Sequence, residues 1–220
     1  AAGVSFIFLI SINSHLRLSG WFKKKSIIEP DLLNYLDLVS LGTVCDVVPL
    51  VGLNRAIVKQ GLKILKSKNN LGLKTLLDIC KVETSPTIYH LGYVLGPRIN
   101  AGGRVGKCSH GANLLLNTNP KDTFKLAIEL DEFNKERQIL EKDLLKKILI
   151  ESKANLKDPV LILEGTNWHE GIIGIVAARL KDKFNKPTII ISVNGNIGKA
   201  SARSIVGFDI GSVIIAATQK

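Results

Sequence analysis

A strand–helix–strand pattern in the last third of the chain limits the possible fold more than any other feature. Residues 159–164 and 188–192 are apolar runs of strand length. Between them, apolar residues from Ile173 to Phe184 recur at three-, four- and seven-residue spacings, which predicts a helix. Two strands joined by a helix within about 35 residues favour a parallel pair. Gly195 and Gly198 then indicate a hairpin into a third strand, so we expect an α/β fold here.

A long helical pattern precedes this region. Asn119 suits the N-cap and Pro120 suits the first helical position, and apolar residues then recur at helical spacing as far as Ile148. A helix of this extent would be about 45 Å long at 1.5 Å per residue. A plain core helix is one interpretation. Its length and its charges on all sides favour a connector between two globular parts.

The net charge also differs between the long helical pattern and the segments before and after it. The 220 residues carry 30 Lys and Arg against 19 Asp and Glu, a net charge of +11. Residues 1–119 have a net charge of +8, residues 120–158 have none, and residues 159–220 have +3. This excess indicates an anionic partner, which could be nucleic acid, a membrane surface or a phosphorylated ligand. With 45% hydrophobic and 22% charged residues, the composition excludes a disordered or fibrous chain.

The first part of the chain is predicted to be largely helical. Residues 1–12 lack the basic region of a signal peptide and are too short to span a membrane, so we expect a buried helix or strand. Residues 31–36 predict a short helix that leads into an apolar, strand-like stretch ending at Asp46. Further helices are predicted over 54–67 and 71–80, and the glycine-rich residues 89–107 are predicted to form a loop.

Cysteine and histidine spacing excludes several kinds of site. The three cysteines include no CxxC pair, which excludes a zinc ribbon or a redox motif and is typical of reduced thiols. The four histidines show no metal-ligand spacing, so no complete metal site is evident from them.

Two stretches in the first half of the chain carry residues suited to chemistry. Asp46 is a single acid at the end of an apolar run, where it would either cap a helix or bind a metal ion. Residues 96–106 contain paired glycines and two arginines, Arg98 and Arg104. Open backbone amides beside guanidinium groups favour binding of a phosphate. A glycine turn with solvated arginines is the alternative for this stretch.

Two further stretches lie in the second half. Residues 167–174 would begin a helix, and the dipole and free amides of such an end suit an anion. His169 could donate to a phosphate there, while Glu170 is either a first-turn charge or a functional carboxylate. Trp168 in this stretch and Tyr93 in the predicted loop over residues 89–107 are aromatic residues that could stack on bases.

The last stretch, residues 198–204, has the alternation of a strand. Lys199, Ser201 and Arg203 would then share one face and offer hydrogen-bond donors along a phosphodiester backbone. A solvated edge strand is the competing interpretation. Small residues on the opposite face indicate close packing there, which favours a functional role for the polar face.

Taken together, in this order and at these separations, the stretches resemble the RecJ-type single-strand-specific 5′→3′ exonucleases of the DHH phosphoesterase superfamily. The resemblance covers nearly the whole chain. It rests on residues 36–50 with Asn54 and Arg55, the GPRINAxGR-like residues 95–104, residues 168–174 and residues 199–208.

The resemblance implies an α/β protein in three parts. Residues 1–118 would be the C-terminal part of a DHH catalytic domain, residues 119–156 a connector helix, and residues 157–220 a truncated DHHA1-type substrate-binding domain. The sequence contains no methionine and no Asp-His-His triplet of the kind that names the superfamily. We therefore expect a fragment that lacks both ends and has no nuclease activity by itself.

The resemblance also implies roles for individual residues. Asp46 would be a catalytic residue and a ligand of a Mn²⁺ or Mg²⁺ pair, which activates water and stabilises charge on the scissile phosphate. The 5′-terminal phosphate and the DNA strand would be held across a cleft between the two domains. The residues expected to hold them are Arg104, Ser201, Arg203, Asn100, Arg98, His169, Glu170 and Lys199.

The implied function is hydrolysis of phosphodiester bonds in single-stranded DNA from a 5′ end, in DNA repair and recombination. A cytoplasmic, monomeric enzyme without membrane contact is expected, with helicases and single-strand-binding proteins as candidate partners of the intact protein. Two alternatives stay open. One is a DHH-family phosphodiesterase of short oligonucleotides or cyclic dinucleotides, and the other is a non-catalytic nucleic-acid-binding homologue.

Overall fold

The computed structural model describes residues 1–67, 69–151 and 158–219. The chain divides into two compact units. The first comprises Ala1–Gly102 and Ser109–Asp131, and the second comprises Gly103–Cys108 and Glu132–Lys220. Among the described residues, no helix is both long and apolar enough to cross a lipid bilayer.

The described part of the first unit consists of helices and the segments that join them, and α6 and α8 contribute residues to both units. The elements are α1 (Ala2–Leu18), α2 (Trp21–Lys25), a 3₁₀ turn (Leu32–Tyr35), α3 (Leu36–Cys45), α4 (Gly52–Lys66), α5 (Leu71–Ile79), a π-helical turn (His90–Leu95), α6 (Gly96–Val105), α7 (Ser109–Leu116) and α8 (Pro120–Glu151). The helices predicted over 54–67 and 71–80 are confirmed as α4 and α5.

Helices α3 and α4 pack closely against each other. A side chain at Gly61 on α4 would place its first carbon 1.8 Å from Ser40 Oγ and 2.1 Å from the carbonyl oxygen of Leu36. Glycine at this position therefore permits the close approach of the two helices. Around the contact, Val39 and Ile57 join Leu36 and Phe6 in a buried apolar cluster.

The strand predicted to end at Asp46 is wrong, because residues 36–45 form the helix α3. Short apolar runs fit a buried strand and a buried helix equally well by periodicity. Here Leu36 and Val39 are three residues apart and enter the same cluster, which is the spacing of a helical face. Asp46 consequently follows a helix as its C-cap instead of ending a strand.

The loop predicted over residues 89–107 is also wrong, since the π-helical turn and α6 occupy most of it. Gly96 in this stretch is required for packing and does not turn the chain. A side chain at Gly96 would come within 2.4 Å of Cys45 Sγ and 3.0 Å of the Leu91 carbonyl oxygen. Pro97 lies in the first turn of α6, which directly follows the π-helical turn.

The beginning of the chain is helical, as one of the two expectations had it, but it is not buried. In α1 only Phe6 and Asn13 are buried. Val4 is 76% exposed and Phe8 is 66% exposed, so apolar side chains of α1 face away from the core.

Helix α8 confirms the long helical pattern. It has 32 residues, which corresponds to about 48 Å at 1.5 Å per residue. Asn119 caps it as predicted, because Asn119 Oδ1 accepts hydrogen bonds from the amides of Lys121 at 2.9 Å and Asp122 at 3.3 Å. The predicted continuation of the helix over residues 152–156 lies outside the described residues, and the domain limits at 118 and 157 stay predictions.

The second unit contains the predicted α/β arrangement. Its elements are β1 (Leu161–Thr166), α9 (Glu170–Phe184), β2 (Thr188–Asn194), β3 (Ile197–Arg203) and α10 (Ile210–Thr218). The strands lie in the order β1-β2-β3, with β1 and β2 parallel and β2 and β3 antiparallel. The parallel pair and the hairpin are therefore confirmed, and Gly195 adopts the positive φ of 58° that the hairpin turn requires.

The core of the second unit lies between α8, α9 and the sheet. Ile172, Val176 and Leu180 from α9 pack with Leu144 and Ile148 from α8 and with strand residues in one buried cluster. The start of α9 lies beside strand β3, because Gly174 is next to the side chains of Ser201 and Arg203.

Candidate nucleic-acid interface

Five of the predicted site residues line one cavity of about 420 Å³ in the second unit. Three elements supply them: the last turn of α6, the first turns of α9, and β3. The five are Arg104, Glu170, Lys199, Ser201 and Arg203. Because all of them belong to the second unit, the cavity is complete within that unit.

Strand β3 presents its polar residues as the sequence alternation predicted. Lys199, Ser201 and Arg203 all line the cavity. Arg203 Nη1 donates to the carbonyl oxygen of Ala202 at 2.7 Å and to Ser201 Oγ at 3.3 Å. The Ser201 hydroxyl accepts this bond, so its own hydrogen is available for a bound anion. An arginine and a serine hydroxyl thus lie next to each other on the exposed strand.

The start of α9 is capped by His169. Its Nδ1 accepts a hydrogen bond from the Gly171 amide at 3.2 Å, and its carbonyl oxygen accepts from the amides of Ile172 and Ile173. These bonds satisfy the first-turn amides that the sequence interpretation had left open for an anion. The site can therefore use the helix dipole and the surrounding side chains, with His169 as the residue that shapes the helix start.

Two glycines of α9 allow the helix to approach the cationic residues. A side chain at Gly171 would place its first carbon 2.1 Å from the carbonyl oxygen of Arg104. At Gly174 the same carbon would lie 3.0 Å from Ser201 Oγ and 3.1 Å from Arg203 Nη2. The cavity therefore depends on the absence of side chains at these positions. The backbone of Arg104 is in turn placed against α9, and Arg104 Nη1 donates to the Gly171 carbonyl oxygen at 3.4 Å.

Arg104 lies in an environment that disfavours its positive charge. Partial burial of the guanidinium lowers its pKa, and repulsion from Arg137 and Arg203 lowers that pKa further, while Glu141 opposes the change. Arginine stays protonated in proteins, so the guanidinium keeps a positive charge that its surroundings compensate only in part. An anion that entered the cavity would relieve this repulsion.

A carboxylate on α8 organises the arginines behind the cavity. Glu141 Oε2 accepts from Arg137 Nη1 at 2.8 Å, and Glu141 Oε1 accepts from Arg179 Nε at 3.0 Å. The Arg137 and Glu141 side chains are only 13% and 12% exposed. Our sequence interpretation missed all three residues. The four-residue spacing of Arg137 and Glu141 was a usable signal, but the contact with Arg179 depends on the packing of α9 against α8.

At the cavity rim, Lys199 pairs with Glu170. Lys199 Nζ and Glu170 Oε2 are 2.7 Å apart, and the two side chains are 61% and 42% exposed. An exposed pair of this kind contributes only about 0–1 kcal/mol. Exchange of the Glu170 carboxylate for a phosphate would therefore cost Lys199 little free energy. In the absence of a phosphate, Glu170 is the ion-pair partner of Lys199.

Arg98 and Asn100 lie in the first unit. Arg98 Nε donates to Asp131 Oδ1 at 2.8 Å and Arg98 Nη1 donates to the Val94 carbonyl oxygen at 2.8 Å, with 19% of the side chain exposed. These bonds connect the Arg98 side chain of α6 with Asp131 of α8 and with the backbone of the π-helical turn. Asn100 is exposed. Contact of either residue with DNA stays a prediction.

Asp46 alone does not fit a two-metal centre. It is exposed at the end of α3 and lines a cavity of about 580 Å³ whose other walls include apolar residues of α1. Within residues 1–67, 69–151 and 158–219 no group of three or more His, Cys, Asp and Glu side chains could hold a metal ion. No step of hydrolysis can be assigned to the described residues.

The two aromatic residues proposed for base stacking differ in exposure. Trp168 is 8% exposed and belongs to the core of the second unit, so its assignment as a stacking residue is wrong. Its carbonyl oxygen accepts a buried hydrogen bond from Ser192 Oγ at 2.6 Å, and a side chain at Gly165 would collide with its ring. Tyr93, by contrast, is 73% exposed.

Comparison with protein families gives a match to the DHHA1 domain over residues 157–220. Among curated proteins, the chain is 37% identical over 216 residues to the single-stranded-DNA-specific exonuclease RecJ of Dickeya dadantii. It is 38% identical over 213 residues to the protein of the same name from Salmonella typhimurium. These alignments cover 94% and 93% of this chain but only 38% and 37% of the relatives. The chain thus spans little more than a third of their length.

Solved structures agree with the sequence relatives. Crystal structures of RecJ from Thermus thermophilus, in complex with Mg²⁺ and with Mn²⁺, match with a TM-score of 0.78 and 29% identity. Each match covers 90% of this chain, and the shares of the RecJ chain covered are 30% and 29%. By sequence and by fold, the chain is similar to RecJ over nearly its whole length, and its residues 157–220 match the DHHA1 domain family.

Proposed function

We propose that this chain is the strand-binding part of a metal-dependent exonuclease that hydrolyses single-stranded DNA in the 5′→3′ direction, and that its cavity holds the 5′-terminal phosphate. The observation that carries the proposal is the convergence of Arg104, Ser201 and Arg203 on one cavity. The names of the relatives, which are single-stranded-DNA-specific exonucleases, support the activity and the substrate.

The chemistry of the cavity suits a terminal phosphate better than an internal one. A terminal phosphate carries a charge of roughly −1.5 to −2 near neutral pH and offers three free oxygens. Arg104 and Arg203 supply two positive charges with forked donors, and Ser201 supplies a hydroxyl donor. Lys199 at the rim can bind the next phosphate of the strand. Internal phosphodiesters carry one charge each and would leave the repulsion between the arginines partly uncompensated.

A Mn²⁺ or Mg²⁺ pair is part of the proposal, and the ions in the related crystal structures support it. Asp46 would supply one ligand, and the described residues provide no second ligand cluster beside it. When bound, such a pair activates water for attack on the phosphodiester. We expect the 220-residue chain alone to bind single-stranded DNA without degrading it.

The biological setting follows from the proposed substrate. Removal of single strands from a 5′ end belongs to DNA repair and recombination, and we propose a cytoplasmic, monomeric enzyme that works beside helicases and single-strand-binding proteins. Cys45, Cys80 and Cys108 form no disulfide among the described residues, which suits a reducing compartment.

Binding of twelve-nucleotide single strands with a 5′ phosphate or a 5′ hydroxyl tests the proposal. We expect the chain to prefer the 5′ phosphate at least tenfold, since a charge-assisted hydrogen bond contributes about 1.5–3 kcal/mol. Arg203→Ala should abolish most of this preference. Lys183→Ala removes the same charge from the distant end of α9 and should retain it.

Equal affinity of the wild-type chain for the two strands would contradict the proposal. An equal loss of preference in the Arg203 and Lys183 variants would do so as well, because it would indicate a response to overall charge.

A further inference from the structure

An exposed pair of stacked tyrosine rings lies in the first unit, with one ring immediately before the π-helical turn and the other within it. The ring centroids of Tyr89 and Tyr93 are 5.3 Å apart and the ring planes differ by 23°. Tyr89 is 61% exposed and Tyr93 is 73% exposed. Only 5% of the chain is aromatic, so two adjacent rings left in solvent call for an explanation.

The backbone under these rings holds them in place. Leu91 and Leu95 of the same turn are completely buried and anchor it to the core of the first unit. The His90 ring packs edge-on against Tyr89 with a centroid distance of 5.7 Å, and His90 Nδ1 accepts from the Thr87 amide at 3.0 Å. A π-helical turn is rare and is frequently found at functional sites. The flat ring surface is therefore preorganised, which lowers the entropy cost of binding a flat partner.

Two cationic side chains lie near the residue that precedes Tyr89 in the chain. Ile88, which precedes Tyr89, lines a cavity of about 220 Å³ together with Arg55 and Lys59 of α4. Both cations are exposed, and neither forms an ion pair within the described part of the chain. Exposed aromatic rings together with cationic side chains are the combination by which proteins bind single-stranded nucleic acid without sequence preference.

We propose that Tyr89 and Tyr93 form a platform on which a base of single-stranded DNA stacks, with Arg55 and Lys59 contacting the phosphates beside that base. The platform rests on the proposed function for its polymeric substrate, but it contacts bases, whereas the cavity of the second unit binds a terminal phosphate. Because every base has a flat face, no sequence preference is expected.

A structural role of the ring pair makes a different prediction. Rings spaced four residues apart on a helix stabilise it by about 0.2–0.5 kcal/mol. Such a role would lower the melting temperature of a Tyr93 variant, and it would leave the affinity for DNA bases unchanged.

The test uses the 220-residue chain and two twelve-nucleotide strands with 5′-hydroxyl ends, one normal and one abasic throughout. Tyr93→Ala should weaken binding of the normal strand roughly 5- to 150-fold, as expected for the loss of about 1–3 kcal/mol of stacking per base. Binding of the abasic strand should stay unchanged. Tyr93→Phe keeps the ring and should bind like wild type, and Tyr35→Ala, at a tyrosine that is 53% exposed elsewhere, is the matched control.

An equal effect of Tyr93→Ala on both strands, or no effect on either, would overturn the platform. Should the alanine variant not fold, Tyr93→Leu keeps an apolar side chain without the ring, and its comparison with Tyr93→Phe gives the same decision. The 5′-hydroxyl ends separate this result from the phosphate cavity, since a chain that lacks 5′-phosphate preference can still discriminate bases from abasic sites. Failure of the wild-type chain to bind any strand would overturn both proposals.

Discussion

Gly171 contributes no side chain to the candidate site, yet its position decides where Arg104 can lie. The hypothetical side-chain carbon at Gly171 would meet the Arg104 carbonyl oxygen at 2.1 Å, and a backbone atom cannot rotate away. At Gly103, beside Arg104, the same carbon would meet only Cys108 Cβ at 4.0 Å. The two glycines thus differ in the space around them while both lie in helices.

Gly171→Ala is therefore expected to displace Arg104 and to weaken binding of 5′-phosphorylated single strands roughly tenfold, or about 1.4 kcal/mol. Overpacking of this kind costs about 1–3 kcal/mol, which exceeds the helix-propensity gain of up to about 1 kcal/mol from alanine. Gly103→Ala has the same propensity gain without the collision, so its affinity should stay near that of wild type. Equal affinities of the two variants would show that the contact with Arg104 is unimportant.

Asp37 in the first turn of α3 is a second residue whose environment has a measurable consequence. It is 2% exposed, its Oδ1 accepts from the Leu38 amide at 2.7 Å, and its Oδ2 has no hydrogen-bond partner among the described residues. Burial raises the pKa of this carboxyl, and the hydrogen bond to the Leu38 amide partly opposes the rise. Our sequence interpretation did not single out Asp37, because a single acidic residue in an apolar run does not indicate how far its side chain is buried.

The raised pKa of Asp37 implies that this residue makes the folded state less stable as the pH increases. The folded state binds the proton more tightly than the unfolded state, so stability falls as the pH rises through the interval between the two pKa values. Asp37→Asn removes this dependence. The melting temperature of the variant minus that of wild type should therefore increase from acidic to neutral pH, whatever constant offset the amide introduces. A difference that stays flat or decreases over this interval would contradict the assignment.

At the scale of elements, α8 connects the stability of the second unit with the charge of its site. Glu141 on this helix holds Arg137 and Arg179, and Arg137 in turn repels Arg104. Removal of one partner from a largely buried ion pair leaves an uncompensated charge, which costs more than the pair itself contributes.

Glu141→Gln is expected to lower the free energy of unfolding of the second unit by about 1–3 kcal/mol, less than for a fully buried pair because Arg179 is exposed. Urea unfolding monitored by the fluorescence of buried Trp168, in a Trp21→Phe background, measures it. Added phosphate should stabilise the variant more than wild type, because Arg137 then lacks its carboxylate. Glu136→Gln, at an exposed position on the same helix, is the control. A similar small effect in both variants would exclude the proposed role of Glu141.

Elements with a long, regular pattern were predictable, and elements defined by packing were not. Helix α8 has its own cap at Asn119, and the parallel strands follow from two apolar runs of strand length with helical spacing between them. The α6 region was mistaken for a loop because its glycines suggested turns. Gly195 has the positive φ of a turn glycine, whereas Gly96 is a helical glycine that makes room for Cys45. Sequence alone does not distinguish these two uses of glycine.

The same distinction applies to the candidate site. Lys199, Ser201 and Arg203 could be assigned to one face from strand alternation alone. Arg104 lines the same cavity because its backbone contacts Gly171, which lies sixty-seven residues further along the chain. The tyrosine platform likewise depends on a π-helical turn, which has no reliable sequence pattern.

At the scale of the whole molecule, both units are basic. The first unit has 14 basic and 9 acidic residues, a net charge of +5, and the second has 16 and 10, a net charge of +6. Sequence segments had suggested a neutral helix between unequal basic parts, but α8 contributes residues to both units and its charges divide between them. Each unit thus carries enough positive charge to attract a DNA strand, as expected if each provides part of the binding surface.

We propose that the cavity of the second unit recognises a phosphate at the 5′ end of a single strand. The affinity of the 220-residue chain for two twelve-nucleotide strands of identical sequence and charge, one with a 5′ phosphate and the other with a 3′ phosphate, tests this recognition. We predict at least about tenfold tighter binding of the 5′-phosphorylated strand. Equal affinity, or a preference for the 3′-phosphorylated strand, would contradict it.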